Sequence, residues 1–195
     1  MEKEKDLEVI GTADNGRQAL TLTRRLKPDV VIMDIAMPEL NGIDATRQIL
    51  DEVPDAKVIA LSMHSEKQFI EGMLQAGAAG YLLKDSAFEE LIKAIRLVCA
   101  GKKYLSPDVT DIVLQDFLSP SIGKDVENEQ DLSLREREVH QLISEGRSMR
   151  EIAERLNISV KTVESHRKNI MDKLNLHTVA ELTRFAIKQG ITSIE

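Results

Sequence analysis

The sequence predicts an α/β domain with a doubly wound parallel sheet, followed by a smaller all-α domain. Three observations carry that prediction. Short β-branched strands alternate with amphipathic helices over residues 7–101, which indicates a parallel sheet with crossover helices. Residues 119–130 (SPSIGKDVENEQ) are polar, contain Pro and Gly and lack periodicity, as a linker does. From Asp131 onward the apolar spacing is helical throughout.

The elements follow in order. Leu7–Ala13 (LEVIGTA) reads as a strand and Gly16–Lys27 as a helix, stopped by Pro28. Val30–Met33 is the next strand. Asn41 caps a helix to about Glu52, and Val53-Pro54 breaks it. Lys57–Leu61 is a third strand, ending at Ser62. Ser65 and Gln68 form a capping-box pattern ahead of Phe69, Ile70 and Met73. Tyr81–Leu83 is a fourth strand, ending at Lys84. Ser86 and Glu89 repeat the capping box before a helix carrying Leu91, Ile92, Ile95 and Val98. Asp108–Leu118 reads as a short helix with Val109, Ile112, Val113 and Phe117 on one side.

In the C-terminal part, Ser133/Glu136, Ser148/Glu151 and Thr178/Glu181 are three more capping boxes, each before a helical repeat. Asn157 makes a tight turn, and Ser159 caps a helix to about Leu174. The predicted domains are therefore 1–105, a linker with a short helix over 106–130, and a four-helix domain over 131–195.

Composition narrows the function classes. Residues 1–130 hold 15 Lys+Arg against 23 Asp+Glu, a net of −8, while residues 131–195 hold 11 against 10, a net of +1. That asymmetry suggests two domains with different partners. No apolar run approaches the ~20 residues of a membrane span, and MEKEKDLEV has no signal-peptide core, so a cytoplasmic protein without membrane contact is expected. Cys99 is alone, in an apolar helical repeat, and reads as a small buried hydrophobe. The four His show no metal-ligand spacing.

Two stretches carry chemistry. Val30–Met33 ends abruptly in Asp34, with Pro38 and Gly42 in the loop beyond it, and the C-terminal end of a parallel strand is where open α/β sheets bind ligands. Further on, two short helices joined by a tight turn have the pattern of a helix-turn-helix. On the second, Val160, Val163, Ile170 and Leu174 fall on one face and Lys161, Ser165, Lys168 and Asp172 on the other. Lys161 and Lys168 suit phosphates or guanine edges, and Ser165 suits any base edge. The plainer reading is a small bundle with a solvated charged face; the capped short helices and turn argue against it.

Residues 132–191 resemble the LuxR-type helix-turn-helix without a gap, through the Arg-Glu-Arg-Glu of the first helix, EIAERLNISVKTVESH and Lys173-Leu174. The resemblance implies base-reading positions at Glu164, Ser165 and Lys168 and phosphate contacts from Lys161, Thr162 and Arg167. It also implies pairing of two copies on double-stranded DNA through Val179, Leu182 and Phe185 of the last helix.

Residues 7–101 resemble a response-regulator receiver, a flavodoxin-like fold, and with the C-terminal match the architecture is similar to the NarL/FixJ subfamily. The matching residues are Asp34, Pro38, Gly42, Ser62 in ALSMHS, and Tyr81 and Lys84 in GAAGYLLKD. The resemblance implies a transcription factor, not an enzyme, switched by phosphorylation of Asp34 by a sensor histidine kinase. Ser62, Tyr81 and Lys84 would be its switch residues. Each has a plain reading alone, as a helix cap, core or surface cation; the ordered set at successive strand ends favours the switch.

The departure from the family is at the N-terminus. A receiver opens with a strand ending in two acids that bind Mg²⁺, and no acidic pair precedes Asp34 here. Asp34 and the Ala36 carbonyl alone are too few ligands for Mg²⁺. The first strand is therefore expected to be absent from between Leu7–Ala13 and Val30–Met33. A shortened product, pairing with a second chain and a degenerate receiver all fit the sequence. The last leaves a second functional reading, a phosphorylation-independent DNA-binding regulator whose receiver serves only for dimerisation.

Overall fold

In the computed structural model, which describes residues 4–118 and 132–192 apart from the side chains of 116–118, the apolar runs of the first part form a parallel sheet. Its order is β1 (Val31–Met33), β2 (Val58–Ser62), β3 (Gly80–Leu83), β4 (Tyr104–Leu105). Side chains alternate between two apolar layers, as the pleat requires. Met33, Val58, Ala60, Tyr81 and Leu83 join one core, whereas Ile59 and Leu82 join the other. Helices α1 (Gly16–Leu26), α2 (Gly42–Glu52) and α3 (Lys67–Gln75) fill the first layer through Leu20, Ile49 and Met73. Helix α4 (Phe88–Cys99) covers the second with Ile92, Ile95 and Val98. Each fully buried aliphatic side chain contributes about 1.5–3 kcal/mol.

Several expectations need correction. Residues 8–13 form no strand: β1 pairs with β2 alone, this segment does not join the open edge of β1, and Val9 and Ile10 stay 54% and 47% exposed. Leu7 still packs on the α4 layer. Strand β4 was not foreseen, because its two residues pair through backbone bonds from Tyr104 N–H to Ala79 O and from Ser106 N–H to Tyr81 O, which leave no side-chain pattern. The capping boxes at Ser65 and Ser86 do not form. Helices α3 and α4 begin one residue late for them, behind Glu66 and Ala87, neither of which makes a side-chain cap. Cys99 is exposed at the end of α4, not buried.

Helix α5 (Pro107–Leu118) sends Val109 into the first core, with Ile112 and Val113 beside it, so its start belongs with the sheet and not with a linker. Contacts divide the chain within this helix, after Gln115. The side chain of Phe117 and the polar 119–130 segment lie outside the described residues.

The second unit holds α6 (Leu134–Ser144), α7 (Met149–Leu156), α8 (Val160–Lys173) and α9 (Val179–Gln189) around Val139, Leu142, Ile152, Val163, Ile170 and Leu182. Here the capping boxes at Ser133, Ser148 and Thr178 all form, and Ser159 caps α8. Asn157 takes the left-handed conformation (φ 51°) that the turn between α7 and α8 demands. Among the described residues, no helix is long and apolar enough to cross a membrane.

The Arg-Glu-Arg-Glu run holds this unit together. The Arg135 guanidinium donates to Glu138 (2.7 Å) and to the Leu156 carbonyl (2.5 Å), tying α6 to the end of α7. Arg137, buried, donates to the Leu132 carbonyl. Lys173, at the end of α8, donates to the buried Glu136 carboxylate at 2.7 Å. Burial pushes the Glu136 carboxyl up, but the Lys173 ammonium and the bonds from Ser133 outweigh it and hold the group below its ordinary value of 4.5.

A carboxyl lowered in the folded state contributes stability above its unfolded value and loses it as pH falls through the folded one. Glu136→Gln should therefore lower stability by about 1–3 kcal/mol at pH 7, allowing for the half-exposed Lys173. Thermal midpoints against pH check this, and the two proteins should converge in acid below pH 4.5.

Candidate functional site: the strand edge and the recognition helix

The parallel register sets the first site. Met33 lies beside Ala60, Ala60 beside Tyr81, and Ser62 beside Leu83, so Asp34, Ser62, Tyr81 and Lys84 reach the same edge of the sheet. Asp34 Oδ1 accepts the Ile35 N–H at 2.7 Å and Oδ2 accepts Lys84 Nζ at 2.5 Å. Both side chains are about one-third exposed, 32% and 38%, so the carboxylate can be reached from solvent.

Gly42 is required by the loop beyond Asp34. A Cβ there would overlap the Asp34 carbonyl oxygen, and the Gly42 N–H donates to the Ile35 carbonyl at 2.9 Å. Asn41 caps α2 through the Asp44 N–H, which fixes where the loop ends. Ser62 is fully buried, its hydroxyl accepts the His64 N–H at 3.1 Å, and its carbonyl accepts the Lys84 N–H at 2.9 Å. Tyr81 is fully buried as well, and its hydroxyl donates to the His64 carbonyl at 2.7 Å. Burial pushes the Tyr81 phenol far above its usual value, with the charges of Glu66 and Asp34 adding to it and the Ser62 hydroxyl opposing.

Asp34 and Lys84 thus meet directly, Ser62 joins Lys84 through the backbone, and Tyr81 joins Ser62 through His64. His64 itself escaped the sequence reading, since a lone His after a strand carries no signal of its own. The donors do not fit a divalent ion: one carboxylate is already shared with Lys84, and no group of three His, Cys, Asp or Glu able to hold a metal occurs among the described residues. Ala36, the other expected ligand, is half-buried in the loop.

On α8, Lys161, Glu164, Ser165 and Lys168 are exposed, and Thr162 and Arg167 are half-buried. Val163 and Ile170 are buried beneath them, whereas Val160 stays exposed. Ser165 Oγ donates to the Lys161 carbonyl at 2.9 Å, which leaves its lone pairs free to accept. Thr162 Oγ1 is bonded to Ser159 Oγ at 2.8 Å. Glu164, Arg167, Lys168 and His177 line a depression of about 320 Å³ floored by Met171 and Leu176. The expectation for α9 needs correction: Leu182 and Phe185 are buried in the unit's own core, so of the three pairing residues only Val179, 39% exposed, presents itself outward.

The family described as response regulator receiver domain matches residues 1–96, and that of bacterial regulatory proteins, luxR family, matches residues 130–186. The transcriptional regulatory protein MctR of Rhizobium johnstonii is 43% identical over 96% of this chain and 84% of its own. The chain belongs to the NarL/FixJ family of response regulators. Response regulator UvrY of Escherichia coli K12 is 38% identical over 100% of this chain and 88% of its own. Among solved structures, Salmonella enterica serovar Typhimurium RcsB, described as bound to promoter P1flhDC in the presence of phosphomimetic BeF3-, matches with a TM-score of 0.57. Its identity is 26%, covering 98% of this chain and 89% of that one. Another RcsB structure is described as two dimers bound to two parallel DNAs, at 27% identity over 94% of this chain and 87% of that one, with a TM-score of 0.55.

As a NarL/FixJ regulator, the chain is a two-component response regulator with a LuxR-type DNA-binding domain, and a transcription regulator, not an enzyme. NarL/FixJ members pair with histidine kinases, and receivers of the family typically bind Mg²⁺.

Gly42→Ala should destabilise the chain by about 1–3 kcal/mol, because the added methyl meets backbone rather than a yielding side chain. Denaturant unfolding followed by far-ultraviolet circular dichroism checks it, with Gly101→Ala, where the space is open but φ is +79°, as the comparison.

Proposed function

We propose that phosphoryl transfer from a sensor histidine kinase to Asp34 controls binding of double-stranded DNA by α8, as a homodimer in the cytoplasm. The observation that carries this reading is the Asp34–Lys84 pair at the open edge of the sheet, 2.5 Å apart and reachable from solvent. An Asp34 carboxylate oxygen, keeping a lone pair beside its hydrogen bond, attacks the phosphorus of phosphohistidine in line, and the kinase imidazole leaves. Lys84 holds the charge that gathers on the phosphoryl oxygens, and the Ser62 hydroxyl turns to bond one of them. The bond that Ser62 gives up is the one from His64 N–H, whose carbonyl also anchors Tyr81, so a local charge change reaches the aromatic side chain. No step is assigned to Mg²⁺, which the described donors do not fit.

On the DNA side, Glu164, Ser165 and Lys168 read base edges, while Lys161, Thr162 and Arg167 hold phosphates; the exposure of Lys161, Glu164, Ser165 and Lys168 supports this. A second reading has one observation in its favour. Tyr81 already occupies the buried position that a switch would have to create, which suits a phosphorylation-independent regulator whose receiver serves as a dimerisation platform.

Mass measurement after incubation with acetyl phosphate and Mg²⁺ tests the first reading. A phosphoryl adduct should appear on the wild type and vanish in Asp34→Asn, and operator affinity should rise with it. No adduct, or equal affinity in both proteins, favours the second reading. In either case Lys168→Ala should weaken operator binding by about tenfold, and affinity should fall steeply with salt. A flat salt dependence overturns the assignment of α8.

A further inference from the structure

The four residues between β2 and α3 offer a role that the family assignment does not supply. Ser62 and Tyr81 are held by the same residue from its two backbone ends: His64 N–H donates to Ser62 Oγ at 3.1 Å, and the His64 carbonyl accepts the Tyr81 hydroxyl at 2.7 Å. The imidazole is anchored elsewhere. It stacks on Phe69 with ring centroids 4.3 Å apart and planes 27° from parallel, and Nδ1 lies 3.6 Å from a Glu66 carboxylate oxygen. Phe69 is buried in α3, in the core that also contains Tyr81, and is therefore a rigid platform. The preceding residue, Met63, is 72% exposed and gives the loop no comparable hold.

We infer that His64 is a positioning residue, whose ring seated on Phe69 fixes the backbone carbonyl that keeps Tyr81 inward. The inference rests on the reading of Ser62 and Tyr81 as switch residues for its regulatory meaning, but its geometry stands without phosphorylation. A stacked aromatic pair exceeds its buried area by an amount equivalent to about a three- to tenfold bias between two loop positions. Losing the stack frees the carbonyl to move and leaves Tyr81 with only the Ser62 hydroxyl beside it. The alternative is that core packing alone holds Tyr81, with His64 a passive spacer.

The chain has two tyrosines, Tyr81 and Tyr104, and no tryptophan. The full unphosphorylated protein labelled with 3-fluorotyrosine thus gives two fluorine resonances, and Tyr104→Phe assigns them. His64→Ala should add a second Tyr81 resonance, raising the outward-to-inward ratio about three- to tenfold. Phe69→Leu, which keeps volume and removes the ring face, should do the same. His64→Phe, which keeps the stack and removes the ring nitrogens that face Glu66, should retain the wild-type resonance. An unchanged Tyr81 signal in His64→Ala, or in Phe69→Leu if the former does not fold, overturns the inference. So does a His64→Phe shift as large as that of His64→Ala, since the Glu66 contact would then be the anchor. The measurement uses no phosphoryl donor, so failure of Asp34 to accept phosphate leaves its outcome intact, and the adduct experiment is equally blind to His64.

Discussion

Everything at the N-terminal site depends on the backbone pairing of three short parallel strands. Met33, Ala60 and Tyr81 stand side by side, so the residues that follow β1, β2 and β3 leave the sheet along one edge. A one-residue slip of any strand would turn its core side chains to the other layer and withdraw Asp34, Ser62 or Lys84 from the others. The register is held firmly because both faces are apolar. Tyr81 and Leu82, adjacent in β3, are both fully buried and point to opposite layers. Stability and site geometry therefore have the same origin.

In the C-terminal unit, charged groups do work that apolar ones do elsewhere. The Arg-Glu-Arg-Glu run carries much of the sequence resemblance to DNA-binding domains, yet its charges are spent inside the unit. Arg135 grips the end of α7, and Glu136 receives Lys173 from the end of α8. These bonds brace α8 from beneath, so that its exposed Lys161, Ser165 and Lys168 are presented on a helix fixed at both ends. A motif can be specific to a function because it builds the scaffold for it.

Local signals were legible in the sequence where the chain makes its own contacts. The three capping boxes of the second unit join residues three apart, and all three form. The two expected at Ser65 and Ser86 do not, because the loop after β2 is held by Tyr81 from another strand and the chain after β3 turns back with Ser86 N–H on the Leu83 carbonyl. Both helices start one residue later as a result. The strand expected at Leu7–Ala13 does not form: its pattern is suitable, but a strand exists only where its backbone pairs, and this segment does not pair with the open edge of β1. Asp34, Ser62 and Lys84 could be named from their places at strand ends, whereas His64 could not, since its contacts are made by backbone atoms and by a ring contact that no spacing rule encodes. Leu182 and Phe185 show the opposite error, an apolar face read as an interface although the unit's own core uses it.

The energetics of the site divide it into two classes of group. The Asp34–Lys84 pair is about one-third exposed on each side, and such pairs contribute about 0–1 kcal/mol. Separating Lys84 from the Asp34 carboxylate therefore costs little. Ser62 and Tyr81 are fully buried, and moving either one breaks a bond to His64 that buried groups must replace. A rearrangement at the exposed pair is therefore cheap, whereas one at Ser62 or Tyr81 has to replace those two bonds. The exposed pair is thus the yielding part of the site, and the loop that carries His64 is its stiff part.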